Sequence, residues 1–420
     1  MMMSSSVFEP QARDLAQSQY EPVHAFTFEE SSSFGQCARE LRSVFEERFE
    51  SPRATASAER YFWDPWHVTH RPEDFTKKRQ ASDPESSSKS SRLARAVVEA
   101  SLSSSPSEQG TPRGGSSGLT QYSMLRTPAA EYFSEELFEK LCVELTEFGR
   151  RQLGCDALTP PWLALYVDGH EMNWHTDSPH GPWAFVLSLT PTTYYAPVDG
   201  DDPGFFSGGE TVLMRQERVL DYWRRFDASK GLECQDILDV RAPTPFGQLL
   251  CFDGRVPHRV STVKGTKDPR RGRLVLTGWF SEPRTRAEGG LVAEDEEALR
   301  PDAKAILDTA LDTALKASAD LDLGRVLGFL ALRLSIQKDG SVKNVDALVD
   351  TLIADPAEYD PSSTSPDPPP IGDNDDDVTA AFATARPDFA LKILLRSALF
   401  EASFPTADTD SLITVPLSFT

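Results

Sequence analysis

A chain of 420 residues exceeds the roughly 100 to 200 residues of an ordinary domain, so two folded units with linkers are expected. Hydrophobic residues make up 39% and aromatics 10%, which excludes a disordered polyelectrolyte. With 43 Lys and Arg against 65 Asp and Glu, the formal charge is -22, and a chain so charged repels a phosphate backbone or an anionic membrane surface, so neither nucleic acid nor membrane is expected as a partner.

Five cysteines (Cys37, Cys142, Cys155, Cys234, Cys251) form no CxxC pair and are odd in number, fitting neither a disulfide framework nor a zinc knuckle. Reduced structural thiols are the expectation. The start MMMSSSVFEPQARD has no apolar h-region, and no apolar run approaches the roughly 18 residues of a membrane span. An intracellular protein, cytoplasmic or nuclear, is expected, with an organellar address left open by the Ser-rich start.

Residues 1–79 are expected to form a helical and aromatic segment that packs on the catalytic core. Within it, FGQCARELRSVFEERFE has apolar residues at helical spacing and RYFWDPWHV is a dense aromatic cluster that should dock on a core. Residues 80–118 are dominated by Ser, Pro and Gly and bury too little apolar surface to offset chain entropy, so they are expected to be a disordered linker. In SEELFEKLCVELTEFGRRQLG, Ser134 is a candidate N-cap, acids fill the first turn, and Leu137, Leu141, Leu145 and Phe148 share one stripe of a helix ending near Gly154.

From Pro161 to about Pro283 the pattern changes to short strand-like runs (WLALYV, WAFVLSLT, ETVLM, GQLLCF, RLVLTGWF) between Gly, Pro and Asp clusters. This pattern predicts a β sandwich or barrel, interrupted by a helical insertion, RQERVLDYWRRF. The domain is placed at 119–285. Residues 286–320 read as a helical connector. Residues 321–420 read as a small α+β domain: a strand GFLALRLSI, a QKDG turn, NVDALVDTLIAD as strand or short helix, a disordered loop at 360–378, the helix FALKILLRSALFEASF and a last strand SLITVPLSF. From Leu291 onward there are 24 acids and 10 bases, so -14 of the total charge sits in the last third.

The most chemically informative residues are His175, Thr176 and Asp177 in NWHTDSPHGP. On an extended chain positions i and i+2 project from one face, so an imidazole and a carboxylate converge. A remote histidine would complete a 2-His-1-carboxylate facial triad, a set that binds Fe(II) and leaves positions open for substrate and oxygen. His258, in FDGRVPHRV and 83 positions after His175, is the best third ligand. Taken alone, HxD is more often a polar turn than a metal site. Of the downstream arginines, Arg270 and Arg271 read as a solvated basic turn, whereas Arg273 enters a strand and could pair with a carboxylate in bidentate fashion.

These residues, taken in order, resemble the 2-oxoglutarate and Fe(II)-dependent oxygenases, specifically their prolyl 4-hydroxylase-like branch. The matching elements are His175 and Asp177, Gly208 to Thr211 in place of the family's GGET-like strand, Gly247 with Phe252, His258, and Arg273 six positions before Trp279, within about 120 residues. The resemblance implies a double-stranded β-helix (jelly roll), with His175, Asp177 and His258 holding iron and Arg273 pairing with the distal carboxylate of 2-oxoglutarate. It implies an oxidoreductase that uses O2 to hydroxylate a C–H bond and releases succinate and CO2, with ascorbate as an optional reductant. Tyr166 resembles a family tyrosine that reaches the co-substrate, and is equally well read as a core residue. The chain departs from compact members between Met214 and Gly247 and at KGTKDPRRG, which leaves Lys264 or Lys267 as alternatives to Arg273.

WAFVLSLT, with Ser188, is expected to line the pocket on alternate positions. His180 fits a facial triad poorly and is only the lesser alternative as a substrate contact or a support behind the ligands, His170 reads as surface or pocket rim, and His24, His67 and His70 carry no visible chemistry. The substrate is a protein or peptide side chain, with proline the default by resemblance, or else a small molecule; a non-catalytic jelly-roll scaffold is the third reading. The last third weakly resembles the carboxy-terminal domain of TonB, through its strand, DG turn, strand, helix, FP and final strand, and is otherwise a generic α+β appendage. Its edge strand could recruit a peptide partner by β-augmentation.

Overall fold

The computed structural model describes residues 12–29, 31–49, 63–70, 119–178, 180–194, 206–215, 238–241, 245–266, 268–293, 298–355 and 386–419. The expected linker at 80–118, the RQERVLDYWRRF helix and the loop at 360–378 lie outside these residues. The chain divides into two compact units. One comprises Val23–Glu144 and Thr159–Trp279; the other comprises Met1–Pro22, Leu145–Leu158 and Phe280–Thr420. No helix among the described residues is long and apolar enough to cross a membrane.

Strand β1 (Arg13–Asp14) belongs to the second unit and β2 (Val23–Thr27) to the first. Helix α1 (Ser33–Phe49) buries Phe34, Cys37, Ala38, Leu41 and Phe45, the three- and four-residue spacing of an amphipathic helix. Trp63 meets Phe45 edge-on at 6.2 Å and Tyr132 at 5.4 Å, so this residue of the aromatic cluster docks on a core. The cluster continues as β3 (Asp64–His70), antiparallel to β4 (Leu119–Pro128). After a single turn, α2 (Ala129–Tyr132), helix α3 spans Glu135–Phe148. The Ser134 hydroxyl accepts from the Leu137 amide, and the predicted stripe is buried. A π turn follows, and Gly154 ends it at φ 68°, the left-handed cap that glycine adopts without strain.

The next strands are β5 (Cys155–Leu158), β6 (Trp162–Tyr166), β7 (Glu171–His175), β8 (Trp183–Ser188), β9 (Thr211–Met214), β10 (Leu238–Arg241), β11 (Gln248–Asp253), β12 (His258–Val260) and β13 (Arg273–Pro283). They do not pair in sequence order. One run is β6-β13-β8-β11, the other β7-β12-β9-β10. The chain crosses repeatedly between these two sheets, which is the arrangement of a jelly roll, or double-stranded β-helix. Strand β4 pairs with both β6 and β7 and joins the two runs, and β2 extends the first beyond β11. Alternate residues such as Ala164, Tyr166, Ala184, Val186, Leu250, Phe252 and Val275 fill the space between the sheets.

The second unit is a sheet ordered β1-β16-β15-β18-β14, with β14 at Arg286–Gly289, β15 at Val326–Ile336, β16 at Val342–Asp350 and β18 at Ser411–Phe419; the short β17 (Ile353–Ala354) pairs with β15. Helices α4 (Pro301–Asp320) and α5 (Pro387–Glu401) pack together. Residues 286–320 are therefore not a mere connector. β14 pairs with β18, and Ala303, Leu307, Ala310 and Ala314 give α4 an apolar stripe that joins the unit's core. The ambiguous NVDALVD segment is strand β16. One edge of the sheet carries the chain's own residues 13–14, opposite Ala347 and Asp346, and the other edge is β14. Below β16, the Lys392 ammonium is fully buried with Asp350 at 2.7 Å, and Ser18 donates to the same carboxylate at 2.8 Å.

Candidate metal centre

Strand pairing removes the 83-residue separation between the two histidines. In the antiparallel register of β7 and β12, His258 lies directly opposite His175, and the two rings are 4.1 Å apart between centroids. The chain leaves β7 at His175, and the Asp177 amide donates to Gly254 O at 2.8 Å, which fixes the carboxylate over the same spot. Asp177 Oδ1 is 3.7 Å from His175 Nε2, and Oδ2 is 3.4 Å from His258 Nε2. One donor atom from each of the three residues lies within 4.8 Å of the others.

Both imidazoles are oriented in the same way. His175 Nδ1 is 2.8 Å from Asn173 O and His258 Nδ1 is 3.1 Å from Val256 O, each the carbonyl two residues earlier. A carbonyl only accepts, so Nδ1 carries the proton and Nε2 offers its lone pair toward Asp177, the tautomer a metal-binding histidine needs. Burial, reinforced by His258, holds the His175 pKa down to about 4, with Asp177 pulling the other way. Burial pushes the Asp177 carboxyl up, but the combined pull of His258, His175 and Trp279 outweighs it and keeps the group below its ordinary value. At neutral pH His175 is thus a neutral imidazole and Asp177 a carboxylate; two imidazoles and one carboxylate are the donor chemistry of a divalent first-row metal. These residues fit iron.

The three side chains line a cavity of about 200 Å³. At its deep end is Arg273, 3% exposed, which pairs in register with Tyr166. Its guanidinium carbon lies 4.9 Å from the Tyr166 ring centroid and its Nη2 donates to Thr211 Oγ1 at 3.3 Å. Among the described residues no carboxylate pairs with it. An isolated buried cation costs several kcal/mol of desolvation, a cost that an anion bound beside this guanidinium would offset. Gly209 makes room for it: with φ +75°, a Cβ there would lie 2.9 Å from Arg273 Cδ. Burial raises the Tyr166 phenol, against the pull of Arg273.

Lys264 is exposed, bridges by its backbone to Ser207, and does not line this cavity; Lys267 lies outside the described residues. His180 does line the cavity, its ring tilted 35° against Trp279 at 4.3 Å between centroids. His170 accepts from the Val167 amide within its turn. His24 packs against Trp183, and His67 and His70 sit on β3. The expectation for β8 needs correction: Ala184, Phe185 and Val186 line the cavity, but Ser188, at the strand's end, is buried and accepts from the Thr190 amide instead. Thr211 closes the GGET-like stretch from Gly208 but was given no role there, and sequence reasoning missed the cavity residues Met124, Arg126, Trp162 and Met172, whose only sequence signal is alternation within strands. The Trp279 indole N–H has no acceptor at hydrogen-bonding geometry among the described residues, yet it is close enough to help lower Asp177.

No protein-family profile and no curated protein matches the chain. Solved structures similar to it include a 2OG-Fe(II) oxygenase family oxidoreductase from Burkholderia pseudomallei (17% identity, covering 44% of this chain and 78% of that one, TM-score 0.26). A prolyl-4-hydroxylase from Pseudomonas putida is similar at 19% identity over 53% of this chain and 93% of that one, with TM-score 0.23. The non-heme alpha-ketoglutarate-dependent epimerase SnoN from nogalamycin biosynthesis is similar at 14% identity over 46% and 73%, with TM-score 0.25.

Proposed function

We propose that the jelly-roll unit is an Fe(II)- and 2-oxoglutarate-dependent oxygenase. The observation that carries this reading is the pairing, in one cavity, of a His-Asp-His donor set with a buried guanidinium that has no carboxylate partner among the described residues. A donor set by itself asks only for a metal, and a buried guanidinium only for an anion. Together they ask for a metal and a small acid between them.

His175, Asp177 and His258 would hold the iron, and Arg273, backed by Thr211, would hold the far carboxylate of 2-oxoglutarate. When bound, iron(II) and 2-oxoglutarate supply the oxidation of a C–H bond by O2 to an alcohol, with succinate and CO2 as co-products. The Nδ1 hydrogen bonds to Asn173 and Val256 keep both imidazoles in the ligating tautomer. Phe252, which meets His258 edge-on at 4.6 Å, and the apolar walls from Ala184 and Val186 keep water from the far side of the donors.

The cavity of about 200 Å³ is smaller than the roughly 300–1,000 Å³ of pockets that engulf a drug-sized ligand. That supports entry of one group, such as a protein side chain, with proline the first candidate by the family resemblance. A small molecule presenting one reactive arm would fit the same space. The scaffold reading leaves Arg273 buried without purpose. A peptide partner of the second unit would add beside β14 or displace β1 from β16.

Anaerobic titration of the full chain with Fe(II) and 2-oxoglutarate tests the proposal: the metal-to-ligand absorption band of the chelate is expected, and Asp177→Ala should abolish both the band and bound iron. Absence of the band in the native sequence, or unchanged succinate release by Asp177→Ala, would overturn it.

A further inference from the structure

Strand β7 carries a β-bulge beside the donor set. His175 is opposite His258 and Met172 is opposite Val260, so β7 advances three residues where β12 advances two. Three residues of regular strand would turn Met172 to the face opposite His175. The extra residue returns it, and both side chains line the same cavity. Two residues of β12 amount to roughly 7 Å, which is the spacing along the sheet between the His175 row and the Met172 row. An unbranched thioether side chain adapts its rotamers to fill such an interval. Met172 is half-buried and packs against the core from the cavity wall.

The other oxidisable groups of the cavity are better shielded. Met124 is 4% exposed, and the pairing of Leu125 with Leu165 sets it level with Tyr166, at the pole where the far carboxylate of 2-oxoglutarate would lie. One face of Trp279 is covered by His180 at 4.3 Å between centroids, and one face of Trp162 by the Arg126 guanidinium at 4.3 Å. Oxidising an indole or a C–H bond also means disrupting a π system or breaking a bond, whereas a thioether takes an oxygen atom directly on a sulfur lone pair to give the sulfoxide. Met214, on β9, is buried and does not line the cavity.

We propose that Met172 is a self-oxidation site, its thioether converted to the sulfoxide by turnover that proceeds with no substrate in the cavity. The inference rests on the oxygenase reading and assigns the fate of the oxygen atom when that reaction runs idle. The co-substrates already named close the balance. 2-Oxoglutarate, O2 and the thioether give succinate, CO2 and the sulfoxide; one atom of O2 enters succinate and the other forms the new S–O bond. The bond between the acid's keto carbon and its adjacent carboxylate breaks. Two electrons come from that acid and two from sulfur, O2 takes all four, and no proton is gained or lost. The product replaces an apolar stretch of cavity wall by a polar one, a change that methionine sulfoxide reductases reverse.

The test supplies the full chain with Fe(II), 2-oxoglutarate and isotopically labelled O2, without added substrate, and with catalase and free methionine present to intercept diffusible peroxide. Succinate is measured, and peptide mass spectrometry with fragmentation locates the label. Labelled sulfoxide is expected at Met172, about tenfold or more above the level at the buried Met214. Asp177→Ala should lose both the label and succinate release. Met172→Leu should carry no label at that position while still forming the anaerobic absorption band with iron and 2-oxoglutarate. If the native chain releases succinate and Met172 stays unlabelled, or is labelled no more than Met214, or is labelled equally in Asp177→Ala, the self-oxidation assignment is overturned and the oxygenase reading stands. If the native chain forms no band and releases no succinate, both fall.

Discussion

Replacing Arg273 by Met separates ligand binding from folding, because the two should move in opposite directions. The guanidinium is 3% exposed, its described acceptors are neutral oxygens, and no carboxylate among the described residues compensates it. Two hydrogen bonds to a carboxylate, at about 1.5–3 kcal/mol each, predict a loss of about 3–6 kcal/mol in 2-oxoglutarate binding, or about 10²- to 10⁴-fold in Kd at 1.4 kcal/mol per decade. Removing a poorly compensated buried charge should leave the ligand-free protein as stable as before or more so. Saturating the native chain with Fe(II) and 2-oxoglutarate at a hundred times Kd should add about 2.7 kcal/mol. For a unit of 150–250 residues that is about 5–10 °C in Tm, at about 2–4 °C per kcal/mol, and Arg273→Met should show almost none of it. Anaerobic differential scanning fluorimetry, with and without ligands, reads both quantities. A variant whose ligand-free Tm collapses while its response to 2-oxoglutarate survives would show that Arg273 is structural and that the acid binds elsewhere.

Gly209→Ala should disturb the same guanidinium indirectly, since the new methyl would lie 2.9 Å from Arg273 Cδ at a backbone φ of +75°; with strain of about 1–3 kcal/mol, 2-oxoglutarate affinity should fall about tenfold or more while iron content by metal analysis stays near stoichiometric. Burial raises Cys37 and Cys155 to about 12, so at pH 8 their thiolate fraction is about a thousandfold below that of an ordinary thiol of pKa 9, and mass spectrometry should find both unalkylated by iodoacetamide until the chain is denatured or the pH approaches 12. Lys392→Met should destabilise the second unit by about 3–5 kcal/mol because it strands the buried Asp350 carboxylate, and adding Asp350→Leu should recover most of that in urea unfolding; a double variant no better than the single one would refute the pairing argument.

The candidate site was legible to the extent that its chemistry is local. HxD places two ligands by the geometry of extended chain, and a distal histidine before an Arg-bearing strand is a short enough pattern to find by eye. Choosing Arg273 over Lys264 needed the register of β13 against β6, which puts Arg273 beside Tyr166 and which no spacing rule supplies. Arg126 and Trp162 were missed because β4 and β6 give the cavity only alternate residues, with no unusual residue type to mark them. The unit boundary was misread for a related reason. Helix α4 was recognised, but its stripe of Ala303, Leu307, Ala310 and Ala314 is mostly alanine, and what it packs against is contributed by strands distant in sequence. The short β1 carries no periodicity at all, yet its pairing with β16 is part of the sheet.

The discontinuous second unit sets a timetable for synthesis. Arg13 pairs with Ala347, so the first strand of that sheet leaves the ribosome more than 330 residues ahead of its partner. At about 5–20 residues per second, this is a wait of roughly 15 to 70 s. During that time Leu15, fully buried in the finished unit, has no core to enter, while the strands between β2 and most of β13 already have all their partners. The jelly roll can therefore fold while the chain is still growing, whereas the acidic sheet has to close late, around a segment made more than 330 residues earlier. Nascent chains stalled once Trp279 has cleared the ribosome should already protect the donor residues from proteolysis, while the peptide around Leu15 remains open to attack until β16 emerges.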